Sequence, residues 1–396
     1  MPYALCHFFQ HPVSSIQHRA SSIQYRASSI EYRVSSGKSN QTAGDKKPVT
    51  SNQKPEPRAR PFIIPIFLPH AGCPHQCVFC NQVSITGIKH EAVEPDTIRN
   101  QIHEFLKYRK KNRKPVQIAF FGGNFLGLKF EEIKSWLGLA GEFVSKGLVD
   151  GIRFSTRPDT IDAARLDILE DYPVSTVELG VQSMDDRVLA LAGRGHSAQD
   201  TIEAVKALKE RQLGVGLQMM VGLPGDSQAR SLATARKIAD LKPDCARIYP
   251  TVVVANSRLA KLFKKGEYLP LSLEEAVSLV KKAYLLFKQE GIEVIRMGLQ
   301  ATDDLEDGSA VLAGPHHPAF GHLVYSEIFY DNALAAIESS GLVKDTLTIM
   351  VNPRSISKMR GLNNANIKKL KKRFELDAVE VRPDSALDKD EVNIEH

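Results

Sequence analysis

The strongest constraint on this chain is the run Cys73-Pro74-His75-Gln76-Cys77-Val78-Phe79-Cys80, three cysteines in C-x3-C-x2-C spacing. An apolar stretch over 62–68 leads into it, and Gly72 and Pro74 bend it. A tight loop at the end of a strand aims three thiolates at one region of space. Thiolates of this kind hold iron–sulfur clusters, normally four to a [4Fe–4S] cube. Three leave one iron without a protein ligand, and an open metal position is where chemistry is done. The same residues also fit a Cys3His zinc site completed by His70 or His75, or a set of redox thiols.

Of the five cysteines in 396 residues, Cys6 and Cys245 stand apart from the loop, so a disulfide framework is not expected and a reducing cytoplasm is. No run of about 18 apolar residues is present to cross a membrane. The net charge of +6 resides in residues 1–60, which carry nine Lys and Arg against three acids, while the rest balances at 43 of each sign. Bulk charge is therefore no argument for nucleic acid. In 1–60 a seven-residue unit recurs from Ser14, Ser21 and Ser28 with one large apolar residue each, too few for a coiled-coil seam. The segment reads as a disordered, repetitive basic tail. Its Ser- and Arg-rich start also fits a transit peptide.

From Phe62 onward, short β-rich runs alternate with amphipathic helical stretches, the pattern of an α/β protein with a parallel sheet. Strands are expected at 62–68, 116–121, 151–155, 176–181, 215–221 and 245–249. Helices are expected at 97–108, 131–144, 198–211 and 227–239 between them. Six βα units are too few for a closed eightfold barrel. Further helices are expected around 257–265 and 273–289, with a strand at 294–297. The segment 310–330, containing Gly314-Pro315-His316-His317-Pro318, has no clear period. A small C-terminal α/β region follows, with strands at 346–351 and 378–381 around a helix at 366–374. The expected division is a tail over 1–60, a barrel over 61–300 and a C-terminal α/β domain over 301–396.

The motifs at the strand ends carry a resemblance. After the second strand comes Phe120-Phe121-Gly122-Gly123-Asn124, after the third Ser155-Thr156-Arg157-Pro158-Asp159, and after the fourth Gly180-Val181-Gln182-Ser183 with Arg194-Gly195-His196 beyond. The fifth gives Gln218-Met219-Met220-Val221-Gly222-Leu223-Pro224-Gly225. With the cysteine loop, these resemble the radical S-adenosylmethionine (SAM) superfamily, in the branch of anaerobic coproporphyrinogen oxidases and elongator-type catalytic subunits. The resemblance implies a partial (β/α)6 TIM-like barrel with a small C-terminal α/β domain. It implies a [4Fe–4S] cluster on Cys73, Cys77 and Cys80, and SAM chelated to the open iron. SAM contacts would come from Phe79, Gly122, Gly123, Asn124, Ser155, Gln182, Arg194 and Gln218. Relatives often carry Glu at Ser155 and Asp at Gln218, so those two contacts are expected to be altered. The implied reaction is reductive cleavage of SAM to a 5′-deoxyadenosyl radical that abstracts hydrogen from a substrate, with ferredoxin or flavodoxin as electron donor.

Neither named family matches throughout. Asn81 follows Cys80 where coproporphyrinogen oxidases add a cysteine, and elongator-type subunits space their first two cysteines further apart. Segment 354–373 holds eight Lys and Arg and no acid, and with Gly361 it faintly resembles the helix–GXXG–helix core of a KH module. RNA is therefore a candidate partner, through Lys368, Lys369 and Lys371, beside the reading of a solvated helix face. His196, His316, His317, Tyr249 and Arg296 are secondary candidates with ordinary structural alternatives, and Met219 and Met220 read as barrel interior. Three functions stand at this point: a radical SAM enzyme acting on RNA or a tetrapyrrole-like molecule, a non-catalytic [4Fe–4S] RNA-binding or regulatory protein, and a zinc-bound scaffold.

Overall fold

A computed structural model of the chain describes residues 61–68, 72–73, 77–81, 94–109, 115–299, 310–341 and 345–395. The expected basic tail over 1–60, Cys6, His70 and His75 lie outside these residues. Seven parallel strands make one curled sheet in the order β1-β2-β3-β4-β5-β6-β8. They are β1 (Phe62–Phe67), β2 (Val116–Phe121), β3 (Gly151–Thr156), β4 (Val174–Gln182), β5 (Gly214–Val221), β6 (Cys245–Pro250) and β8 (Glu293–Met297). Each strand pairs with its sequence neighbour, as in a partial TIM barrel. The six expected units thus gain a seventh strand, because Glu293–Met297 adds to the same sheet alongside β6.

Side chains alternate across each strand. One face, with Ile64, Ile118, Ile152, Val177, Val215 and Ala246, packs into the main apolar core. Helices α1 (Pro95–Lys107), α2 (Phe130–Ser145), α3 (Ala163–Glu170), α4 (Asp186–Leu191), α5 (Ala198–Glu210) and α6 (Gln228–Asp240) follow the first five strands. Several start where sequence rules put a start. Ser197 and Asp200 form a reciprocal capping box on α5, and Ser227 caps α6. Pro65, which cannot donate to a ladder, is tolerated because β1 is an edge strand.

After β6 come the short strand β7 (Val253–Val254), α7 (Arg258–Lys264) and α8 (Leu273–Gln289). The aperiodic segment around 310–330 holds β9 (Val311–Ala313), antiparallel to β7, and the start of a 21-residue helix, α9 (Phe320–Ser340). Helix α9 has no single apolar stripe because it serves two cores. Phe320, Val324 and Ile328 join the barrel core, while Phe329, Ala333 and Ile337 join a second cluster. That cluster lies under a three-stranded sheet of order β11-β10-β12, from β10 (Thr346–Val351), β11 (Ala378–Pro383) and β12 (Val392–Glu395). Helices α10 (Ile356–Arg360) and α11 (Ala365–Phe374) connect β10 to the parallel β11.

Candidate active site

The cysteine loop is tied to the segments that follow β4 and β7. The Val78 N–H donates to Ala192 O at 2.9 Å and its carbonyl accepts from Leu259 N at 2.7 Å. Asn81 Nδ2 reaches Ala255 O at 2.9 Å, and Phe79 packs on an apolar cluster with Met220 and Leu223. Cys77 is buried, Cys80 half-buried and Cys73 exposed. Surrounding protein desolvates the Cys73 thiol and raises its pKa, and the nearby Cys77 adds to the rise.

Two buried arginines face Cys77. Arg194 donates from Nη1 to Cys77 Sγ at 3.1 Å and from Nη2 to Gly180 O at 2.6 Å. Arg157 Nη1 stands 4.0 Å from the same sulfur, held there by a two-point grip on Asp159 at 2.8 Å per bond and by Arg194 O. Arg157 and Asp159 belong to a motif the sequence displays, but only the fold puts that arginine beside the sulfur. Two guanidinium groups thus stand beside the sulfur, where they can offset the negative charge of a metal-bound thiolate.

Asn124 is fully buried and joins three segments. Its Nδ2 donates to Gly72 O at 2.9 Å, while Oδ1 accepts from Thr156 Oγ1 at 2.7 Å, Thr160 Oγ1 at 2.9 Å and Arg157 N at 3.0 Å. Gly122 takes φ +95°, and Gly123 and Ser155 line a small cleft with Leu68, Phe121 and Phe125.

A bulge in β4 interrupts pairing with β5 between Gly180 and Gln182. It leaves Gln182 at φ +66°, a conformation few non-glycine residues adopt and one that gathers at functional sites. Gln218 Nε2 meets Gln182 Oε1 at 3.2 Å. The expected cofactor contacts Gln182, Gln218 and Arg194 therefore share one corner, at the ends of β4 and β5. Thr156, Arg157 and Gly180 complete it.

His196 is buried with Nε2 3.2 Å from Val181 O and with Nδ1 unpartnered. Burial, then the Arg194 charge, pushes its pKa down to about 4, so the ring is neutral at pH 7. His317 turns inward on its own loop, its Nδ1 accepting from Ala319 N at 3.0 Å ahead of α9.

Deeper on the same face, Glu178 lies among Arg153, Arg247 and Cys245. Arg247 Nη2 donates to Glu178 Oε1 at 2.9 Å and Nη1 reaches Tyr249 Oη at 3.2 Å. Burial, helped by Glu178, pushes the Cys245 thiol up to about 11. Sequence reasoning missed this charged cluster. Its one signal is the period-two appearance of charge in otherwise apolar strands, Arg153 in β3, Glu178 in β4 and Arg247 in β6.

Three thiol donors carried by one short loop, Cys73, Cys77 and Cys80, are the donor type an iron–sulfur cluster takes. The thiolates of a cube bind different irons and need not converge. Arg194 Nε is buried without a partner and offers a donor to an anionic ligand such as a carboxylate.

Comparison with known proteins agrees. Residues 67–238 match the radical SAM superfamily model and 243–329 the radical SAM C-terminal domain model. An uncharacterised protein of Methanocaldococcus jannaschii is 31% identical over 221 residues, 53% of this chain and 67% of that protein. This chain belongs to the radical SAM superfamily. The superfamily's enzymes use a [4Fe–4S] cluster and SAM, and the cysteine loop and strand-end corner are where this member would hold them. A tRNA uridine(34) acetyltransferase of Methanocaldococcus infernus is 28% identical over 259 residues, and the chain spans 48% of its length. The archaeal Elp3 structure from the same organism superposes with a TM-score of 0.52 at 21% identity, covering 72% of this chain and 64% of the other, which shows the shared fold. No helix among the described residues is long and apolar enough to cross a membrane.

Proposed function

We propose that this chain is a radical SAM enzyme that abstracts hydrogen from an RNA substrate, drawing its electron from a ferredoxin- or flavodoxin-type donor. The observation that carries the reaction class is the Arg194–Cys77 contact at 3.1 Å within a three-cysteine loop docked on the segments that follow β4 and β7. When bound, the cluster and SAM supply one-electron reductive cleavage of SAM. The chain's own part is orientation and exclusion. Cys73, Cys77 and Cys80 hold the cluster, Arg157 and Arg194 neutralise thiolate charge, and Arg194 Nε is left for the SAM carboxylate. Gln182 and Gln218 present amides to the ribose hydroxyls, and Phe79 with the Gly122-Gly123 backbone walls the cofactor.

Support for RNA comes from the C-terminal region and from the relatives named for tRNA. In segment 354–373, Lys369 pairs with Glu327, Arg373 with Glu338 at 3.4 Å, and Lys358 lies 4.7 Å over the Tyr325 ring. Arg360, Lys368, Lys371 and Lys372 are exposed and without ion-pair partners among the described residues. Between α10 and α11 the turn Gly361-Leu362-Asn363-Asn364 has φ of +70° at Gly361, +53° at Asn363 and +59° at Asn364. Asparagine tolerates this region, so the turn resembles the GXXG clamp of KH modules without its second glycine. Beside it runs a groove lined by Arg360, Asn364, Ile367, Val381 and Arg382.

The test is tRNA binding against salt concentration, with and without Lys368→Glu, Lys371→Glu and Lys372→Glu together. Binding that weakens with salt, with a shallower slope in the triple variant, supports the reading. Binding that is absent or indifferent to the substitutions removes RNA as the partner of this segment.

A further inference from the structure

The charged cluster on the inner face of the sheet is not used by the cofactor reading, and its charges do not balance. Arg153 is 6% exposed and Glu178 4%. Glu178 is largely committed to Arg247, whose Nη2 hydrogen-bonds Oε1 at 2.9 Å and whose Nε lies 2.7 Å from Oε2. Arg247 is fixed further by Tyr249 Oη at 3.2 Å and by the Phe121 ring 5.2 Å beneath its guanidinium. What remains for Arg153 is one ion pair, Nε to Glu178 Oε1 at 3.2 Å, outside hydrogen-bonding alignment. No other partner of Arg153 exists among the described residues. Its Nε is sealed from solvent, and its two terminal nitrogens make no hydrogen bond among the described residues.

Two guanidinium groups thus face one carboxylate, and the neighbouring Cys245 thiol, with its pKa raised to about 11, adds no charge at neutral pH. Glu178 is packed closely against β5. A Cβ on Gly216 would sit 3.0 Å from Glu178 Cγ and 3.1 Å from Cys245 Sγ, so the carboxylate stem is already packed against that strand. A buried guanidinium with unused donors is costly in the absence of an acceptor, and its fork matches an oxyanion. Arg153 lies two residues before Ser155 on β3 and on the same face. That puts it about 7 Å below the rim where the cofactor corner sits.

We propose that Arg153, steadied by Glu178 and Arg247, is the anion-recognition point for the molecule that reacts, taking a phosphate or carboxylate group of it one side-chain layer beneath the cofactor. This rests on the radical SAM reading, since it assigns the enclosed space to substrate. The donors left on Arg153 hold the anionic end, and the remainder of the molecule extends toward the rim formed by Ser155, Gln182 and Gln218.

The test uses the reconstituted holoenzyme with SAM and two probes, inorganic phosphate followed by 31P NMR line broadening and acetate followed by 1H NMR. Binding of phosphate points to a phosphorylated substrate and binding of acetate to a carboxylate one. With either anion, Arg153→Gln weakens binding by about tenfold or more, the loss of one charge-assisted hydrogen-bonding group. Glu178→Gln, which removes the competing carboxylate, tightens it. Circular dichroism confirms that each variant is folded, and Arg153→Lys, which keeps the charge, replaces any that is not and falls between wild type and Arg153→Gln. Failure of wild type to bind either anion, or equal binding by wild type and Arg153→Gln, overturns the proposal. The electron paramagnetic resonance change of the wild-type cluster on adding SAM is read in the same samples. If that change is missing, the radical SAM reading has failed instead.

Discussion

The side-chain amide of Asn124 donates to the carbonyl of Gly72 at 2.9 Å, one residue before the first cysteine of the loop. The end of β2 thereby sets where the loop begins. The same amide, through its oxygen, holds Thr156, Thr160 and the Arg157 N–H, so the position of the arginine near Cys77 and that of the loop are fixed by one residue.

Replacing Asn124 by Ala strands four polar groups, two of them hydroxyls able to turn elsewhere. With an unmet buried group costing about 1–3 kcal/mol, a loss of several kcal/mol is expected. The measurable outcomes are a lower thermal midpoint and less iron retained per chain after reconstitution. Wild-type iron retention in Asn124→Ala would mean that the link to Gly72 does not position the loop.

Gly127 gives a steric test of the same contact. A Cβ there would lie 2.0 Å from Gly72 O and 2.3 Å from Asn124 Nδ2, closer than atoms approach, and the first obstacle is backbone. Gly127→Ala must push the two segments apart. Reduced cluster retention is expected, with the seven-stranded core little changed by circular dichroism.

His196 sets an acid limit. Its folded pKa of about 4 lies below the ordinary 6.5, so the unfolded chain takes up the proton first as pH falls. Its contribution to stability is intact above about pH 6.5 and is lost progressively toward pH 4. The total is about 3 kcal/mol. His196→Asn is expected to flatten the fall of the thermal midpoint between pH 7 and 5. An equally steep fall in the variant would place the acid sensitivity elsewhere.

Cys245 separates structural from reactive thiols. Burial holds it protonated, with a pKa of about 11, and it lies 8% exposed on β6. Iodoacetamide at pH 8 is expected to modify it only after unfolding, whereas the exposed Cys73 reacts in the folded apoprotein, slowed by its raised pKa. Peptide mass spectrometry after timed alkylation distinguishes the two.

The barrel and its site were legible in the sequence to different depths. The strands and most of the flanking helices follow from period-two and 3.6-residue patterns with capping serines, as at Ser197 and Ser227. The cysteine loop announces itself by spacing, whereas the Gly-Gly, Gln182, Arg194 and Gln218 motifs stand out through their resemblance to the radical SAM superfamily. Helix α9 was hidden because Phe320 and Phe329 serve different cores, which removes the single stripe that periodicity detects. Strand β12 was missed because Val392–Glu395 is short and half polar. The Arg153–Glu178–Arg247 cluster shows in the sequence only as single charges in apolar strands. Its members come from three strands, and the β3–β4 pairing shifts register between Ile152 and Arg153, so only the folded sheet brings them together.

If Cys73, Cys77 and Cys80 hold a [4Fe–4S] cluster and Arg194 the SAM carboxylate, the reduced protein cleaves SAM and Cys77→Ala does not. The decisive measurement is anaerobic reconstitution with iron and sulfide, reduction, addition of SAM and quantification of 5′-deoxyadenosine beside the Cys77→Ala variant. Product is expected from wild type and none above background from Cys77→Ala. No product from a wild-type protein carrying a full cluster, or equal product from both, would contradict that assignment.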